Sequence, residues 1–322
     1  MAETSLGRMT RKSPVGAFES FGNSRFISIG GWINAIIPIL IVPYYSVIGG
    51  WVIKYLIEYF AGHSKTLAGD AYFTTFISNG WSTEICFIIF TLFTLGIIYA
   101  GVRNGIERVS KFMMPILIVL SLIIAVYSVT RPGAIEGVKY FLVPNFDHFS
   151  WMTVVSAMGQ MFYSLSIAMG ILITFGSYMK KDTSIEKSTE NVEIFDTAIA
   201  IMAGLMIIPA VFAFSGGNAE TLKSGPALMF ITIPKVFANM GFGTAIGVVF
   251  FLLVLFAAVT SSIALTESAV STFEDELHWS RKNQLCSWEW LCYCLERFPA
   301  LGMDLLRILR FLECNFLISS IS

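Results

Sequence analysis

Read for polarity alone, the chain is a succession of long apolar stretches separated by short polar ones. Uncharged runs occupy 27–53, 85–102, 112–130, 149–179, 197–219 and 236–266. A helix rising about 1.5 Å per residue needs roughly 20 apolar residues to cross the hydrocarbon core of a bilayer. Core helices of soluble proteins rarely run so long without a charge. The pattern therefore predicts six membrane spans in an all-α, multi-spanning membrane protein. The fourth run is different in kind, because it intersperses Gly159, Gln160, Ser164, Ser166, Gly170, Thr174, Gly176 and Ser177. Small and hydroxyl residues in a membrane helix signal close helix packing. They also suit a discontinuous helix whose freed backbone groups line a site near the midplane. Gln160 favours the second arrangement, since its amide is costly in lipid and requires a partner. Between the fifth and sixth runs, residues 227–238 are apolar and short. They suit either a helix packed on the mouth of a bundle or a segment resting on headgroups.

Composition sharpens this picture. Of 322 residues, 55% are hydrophobic and 13% charged, against about 25% charged in an average soluble domain. The net charge of −1 lacks the basic face that a nucleic-acid partner requires. Arg8, Arg11, Lys12, Arg25, Arg103, Arg108, Lys111, Lys180, Lys181, Lys187, Arg281 and Lys282 fall in alternate connections. Lys54, Lys65, Arg131, Lys139, Lys223 and Lys235 fall in the others. Twelve against six, repeated loop by loop, predicts a cytoplasmic N-terminus in a plasma (inner) membrane. Cys86 stands alone until Cys286, Cys292, Cys294 and Cys314, which is no secreted disulfide framework. Residues 1–26 are polar, with no short apolar signal core.

Candidate chemistry lies in the apolar runs. Thr260 and Ser261 in the sixth offer hydroxyl oxygens of the kind that hold a hard cation. Such a run also back-bonds to its own helix. Asp196 opens the fifth run, either as a functional acid at a membrane helix or as a solvated N-cap. Glu267 lies seven residues beyond Thr260, either as a gate or proton-linked group or, as expected here, simply reaching the cytoplasmic interface. Tyr44 and Tyr45 follow Pro43 near the middle of the first run, away from the aromatic belts of the membrane boundary. Each hydroxyl there needs a partner. A membrane-embedded enzyme is disfavoured: His63, His148 and His278 are scattered, no HExxH occurs, and no charged pair sits within a run.

Four segments carry a resemblance. YYSVIGGW at 44–51, GQMFYSLS at 159–166, SYMKKD at 177–182 and TSSIAL at 260–265 resemble the bacterial neurotransmitter:sodium symporter family, and FEDEL at 273–277 with SRK at 280–282 fits as well. The similarity runs over about residues 4–282, in order and at the right spacing. It implies a LeuT-type inverted-repeat bundle, of which the six spans resemble family helices three to eight. It implies that Tyr45 hydrogen-bonds a substrate carboxylate and that Tyr163, with Gln160, gates the site from above. Ser164 and Asp196 stand as ligands of a first sodium; Ala257 through its carbonyl, Thr260 and Ser261 stand as ligands of a second. Ile41, Ser166, Met169 and Leu265, with Ser261 at the edge, line an uncharged side-chain pocket. The implied function is sodium-coupled symport of a small neutral, hydrophobic amino acid by alternating access, without enzymatic activity. Sodium serves as coupling ion and no organic cofactor is needed. Ala200 stands where relatives carry a chloride-binding serine or a glutamate, which implies chloride independence, with Asp196 supplying the negative charge.

Three features depart from the family pattern. The family's glycine-rich break reads SIAMG at 166–170, leaving pocket size open. No counterpart of the family's first helix is found, and 1–26 resembles the cytoplasmic end of the second helix and its loop. The transporter core is expected over 27–282, and 283–322 reads as an aberrant, frame-shifted tail, the alternative being a divergent amphipathic tail lying on the membrane. The expectation is thus a fragment that does not transport alone; the alternative is a membrane remnant or assembly partner.

Overall fold

The computed structural model describes residues 1–22, 24–144, 146, 149–216 and 225–278; the tail 283–322, His148 and the SRK segment lie outside them. The described residues form helices and no strand. Five helical segments are long and apolar enough to cross a membrane: Arg25–Phe60, Gly80–Tyr99, Val102–Val129, Ile185–Ser215 and Gly243–Leu277. We label the helices α1 (Ala2–Thr10), α2 (Pro14–Glu19), α3 (Arg25–Phe60), α4 (Ser64–Leu67), α5 (Tyr72–Ser78), α6 (Gly80–Tyr99), α7 (Arg108–Val129), α8 (Ala134–Leu142), α9 (Trp151–Ser164), α10 (Ile171–Tyr178), α11 (Ile185–Ser215), α12 (Ile233–Ala238) and α13 (Gly243–Leu277). A π-helical turn, Val102–Glu107, leads into α7.

The fourth expected span is not one helix. α9 stops at Ser164, α10 starts at Ile171, and the residues between them leave the helical ladder. Ser166, Ala168 and Gly170 take φ of 55°, 62° and 70°. A left-handed residue ends a right-handed helix, and for a residue bearing a Cβ it costs about 1–2 kcal/mol. The discontinuous reading of this run is the one the structure adopts.

Other boundaries outrun the uncharged runs because charges are neutralised or capped. Lys54 donates to Glu58 one turn on, at 2.6 Å, so α3 continues to Phe60. The Ser184 side chain accepts from Lys187 N–H and starts α11 twelve residues before Thr197. Asp196 consequently sits about three turns inside α11 and is not its N-cap. α13 likewise runs past Glu267 to Leu277.

Two contacts position the ends of the bundle. α1 lies on α10 at glycine distance: a Cβ on Gly7 would come within 1.9 Å of the Ile173 carbonyl oxygen, and one on Gly176 within 2.5 Å of the Thr4 oxygen. At the opposite end, Phe230, Ile233, Val236 and Phe237 of the 228–238 segment are buried. The ring of Phe230 packs on Phe73 (5.4 Å, nearly parallel), Trp51 (5.6 Å) and Tyr55 (5.0 Å). The Tyr55 hydroxyl donates to the Phe230 carbonyl at 2.8 Å. The segment is therefore a cap on the bundle, not a strip resting on lipid.

Candidate functional site

The break between α9 and α10 opens onto a cavity of about 440 Å³, bounded by α3, α7, α9, α10, α11 and α13. Its size falls in the range of about 300–1,000 Å³ typical of small-molecule sites. Every residue singled out for the substrate pocket lines it: Ile41 and Tyr45 from α3, Tyr163 from α9, Ser166 and Met169 from the break, Ser261 and Leu265 from α13. So do Gln160, Ser164, Asp196 and Thr260. Ala257 is not among the lining residues, but its carbonyl lies 3.0 Å from the Thr260 hydroxyl. The sequence positions span 41 to 265, so the juxtaposition is a product of the fold.

The polar groups fall into two clusters. In the first, the Ser164 hydroxyl donates to the Asp196 Oδ1 at 2.6 Å, joining the last residue of α9 to the middle of α11. Among the described residues, Asp196 is the one lining side chain of the Asp, Glu, Lys, Arg and His types. A carboxylate oxygen beside a hydroxyl oxygen, next to the unwound 165–170 segment, is an oxygen-only environment of the kind that selects hard cations. In the second, the Thr260 hydroxyl lies 3.0 Å from the carbonyls of both Phe256 and Ala257. The back-bonding expected of a helical threonine is present, and it gathers three oxygens at one turn of α13. The Tyr45 and Ser261 side chains interact, and both line the cavity, from α3 and α13 respectively. The walls between these polar groups are apolar: Ile41, Met114, Met169, Ile171, Ala264 and Leu265.

Sequence reading missed several groups. Met114 of α7, Ile171 and Ala264 also line the cavity; nothing distinguishes them from other apolar positions along their helices. Glu3 of α1 accepts a hydrogen bond from Ala168 N–H in the break at 2.9 Å, a contact across 165 residues. Tyr44 does not line the cavity. The expected placement of Glu267 at the interface is corrected: it is 0% exposed, because α13 continues beyond it and α10 packs on that face. The Tyr178 hydroxyl donates to Glu267 Oε1 at 2.8 Å, and Thr174 lies 3.2 Å from the Ser271 hydroxyl alongside. Gln160, Tyr163 and Ser164 are exposed, so the cavity wall formed by α9 is open on one side.

Residues 76–301 match the profile of the Sodium:neurotransmitter symporter family. The chain is 33% identical over 293 residues to YhdH of Bacillus subtilis (strain 168), described as an uncharacterised sodium-dependent transporter, with 89% of this chain and 63% of that protein covered. It is 30% identical over 294 residues to an uncharacterised sodium-dependent transporter of Haemophilus influenzae, covering 87% of this chain and 64% of that protein. The chain thus spans a little under two thirds of the length of these relatives. Among solved structures it is similar to MhsT in complex with L-phenylalanine, with a TM-score of 0.82, 34% identity, and coverage of 94% of this chain and 68% of that one.

Proposed function

The chain belongs to the sodium:neurotransmitter symporter family, a family of membrane transporters and not of enzymes, and from that premise we propose that its cavity is the substrate and sodium site of a sodium-coupled amino-acid symporter. One observation carries the reading. Tyr45, Ser166, Asp196 and Thr260 come from four separate segments and meet at a single cavity, with a hydrogen-bond donor, a broken helix and two oxygen clusters in place.

In this reading the substrate carboxylate accepts from the Tyr45 hydroxyl. The carbonyls of the break receive the substrate ammonium. Asp196 and Ser164 hold the first sodium, while Ala257, Thr260 and Ser261 hold the second. The first sodium offsets the negative charge of the Asp196 carboxylate, and the second is held by neutral hydroxyl and carbonyl oxygens. The apolar walls suit a neutral, hydrophobic side chain, in keeping with the phenylalanine bound to MhsT. Asp196 supplies a fixed negative charge beside the first sodium, and with Ala200 nearby on α11 chloride has no assigned role. Tyr163 and Gln160 stand at the rim as the gate. We place the N-terminus in the cytoplasm and the chain in the plasma membrane, as the lysine and arginine distribution supports.

The exposure of Gln160, Tyr163 and Ser164 supports a further element of the proposal: the 322 residues alone do not complete a transport cycle, and alternating access belongs to a protein of the relatives' full extent. The test joins residues 1–278 to the remaining segments of YhdH and measures uptake of labelled phenylalanine or leucine into proteoliposomes. Uptake that requires sodium, survives replacement of chloride by gluconate and disappears in Asp196→Ala supports the reading. Sodium-independent binding and uptake would sink it, and sodium-driven uptake by the 322-residue chain alone would sink the fragment element.

A further inference from the structure

The sequence of α10 does not finish its own helix. It has eight residues, Ile171–Tyr178, and a helix shorter than about 12–15 residues is marginal alone. No basic residue stands in its last turn, and its C-cap, Met179, is extended. Lys180 follows, so no glycine provides the left-handed cap that commonly collects the last carbonyls. Yet Ile171 at the other end of α10 lines the cavity. The turn after Tyr178 leads within a few residues to α11, which carries Asp196 into the same cavity.

The missing donors come from α1. Arg11 Nη1 donates to the Ser177 carbonyl at 2.7 Å, and Arg8 Nη1 donates to the Thr183 carbonyl at 2.5 Å. Ser177 lies in the last turn of α10, while Thr183 directly precedes Ser184, the residue that caps α11. The two guanidiniums therefore grip the connection at both of its ends. A cation at a helix C-terminus also opposes the negative end of the macrodipole. The arginines act from a fixed base, because Gly7 and Gly176 bring α1 and α10 to backbone contact.

A second observation singles out Arg11. It is the C-cap of α1, at φ 58° and ψ 28°, a conformation that glycine takes without strain and a residue bearing a Cβ takes at a cost. The backbone at this position favours glycine, and the arginine found there works through the reach of its side chain.

We propose that Arg11, together with Arg8, is a positioning residue for the cavity's inner wall. The pair splints residues 177–183, holds α10 in place against α11, and so sets how Ile171 and Asp196 stand to one another. The relevance to substrate rests on the symporter reading above; the splint does not.

The test reads the two separately. Hydrogen–deuterium exchange of the full 322-residue chain in nanodiscs, without ligand, compares residues 177–184 with α3 and α13. One exposed cation at a helix end is worth about two- to fivefold, and Arg11 is exposed. Replacing both arginines by alanine is expected to speed exchange over 177–184 at least threefold, with α3 and α13 unchanged. Arg11→Gly separates side chain from backbone: residues 177–184 should exchange faster while α1 keeps its protection, because glycine relieves the left-handed cap. Arg11→Lys keeps the charge without the planar fork and is expected to lose less than Arg11→Gly. In the YhdH-completed protein the double alanine variant should raise the amino-acid concentration for half-maximal uptake at least threefold, and Arg11→Lys should raise it less.

Unchanged exchange over 177–184 in the double alanine variant overturns the proposal. Faster exchange spread evenly through α3, α7 and α13 also overturns it, because the arginines would then serve folding in general. So does an equal loss in α1 and α10 in Arg11→Gly, which would make Arg11 part of the packing seam alone. Faster exchange confined to 177–184, with no amino-acid binding by the completed wild-type protein, leaves the splint standing and removes the symporter reading instead.

Discussion

Replacing Asp196 by asparagine isolates charge from shape. The asparagine side chain would keep an Oδ1 acceptor for the Ser164 hydroxyl, now 2.6 Å from the carboxylate, so the α9–α11 contact survives with a neutral partner. What disappears is the one carboxylate that lines the cavity among the described residues. A hydrogen bond to a charged group contributes about 1.5–3 kcal/mol against about 1 for a neutral one, so the contact itself weakens by about 0.5–2 kcal/mol. The cation loses more. A unit charge about 4 Å from a carboxylate gains about 4 kcal/mol at an effective dielectric of 20, and partial hydration of the open α9 wall reduces that. Sodium affinity is therefore expected to fall by about 1.5–4 kcal/mol, from roughly tenfold to several hundredfold. The assay is a sodium titration of purified protein, monitored by calorimetry or tryptophan fluorescence at fixed ionic strength with choline as the replacement cation. Circular dichroism should show no loss of helix. Sodium affinity within twofold of wild type, in a folded variant, would refute the assignment of Asp196 to the first cation.

Three further expectations bear on the scaffold. Gly7→Ala places a methyl 1.9 Å from the Ile173 oxygen, an overpacking expected to destabilise by about 1–3 kcal/mol, read as faster exchange in α1 and α10 with α6 and α7 unchanged. Tyr55→Phe removes the donor to the buried Phe230 carbonyl and should cost about 1–3 kcal/mol, seen as increased protease cutting within 228–238. Tyr72 has its hydroxyl pushed up to about 12 by burial first and then by the Glu58 carboxylate. Because the protonated form is the one favoured by the fold, its contribution is complete below pH 10 and is lost as pH rises towards 12. Ultraviolet titration of Tyr72→Phe against the parent chain should remove a late-titrating phenol, and Glu58→Gln should move that same phenol earlier.

The spans were legible because hydropathy measures what the bilayer selects, and the cavity residues because their order along the chain matched a known pattern. Boundaries were less so. Glu186, Lys187, Glu190 and Glu193 read as a polar connection, yet a helix tolerates them on exposed faces once Ser184 caps it; Asp196 then changed from a candidate cap to a mid-helix acid. Glu267 looked destined for water because it is charged, and only the packing of α10, with the Tyr178 hydroxyl, explains its burial. The break was partly legible: Ser and Gly marked it as unusual, but SIAMG contains no glycine at 166 or 168, where φ is positive. The group that accommodates it, Glu3, lies 165 residues away, beyond any periodicity or local motif.

The anchoring of the cap by Tyr55 has a consequence for how such a chain can diverge. The hydroxyl grips the main-chain oxygen of residue 230, not its side chain. Every amino acid supplies that oxygen. The instruction to fasten the cap is therefore written in α3, while the side chain of residue 230 answers to the shape of the slot left by Trp51, Tyr55 and Phe73. A leucine or methionine there would change the fit without untying the knot, whereas a single change at 55 would untie it whatever the loop contained. The outer segment is thus free to drift in sequence and keep its place, and mutational tolerance should be markedly asymmetric between the two partners of one contact.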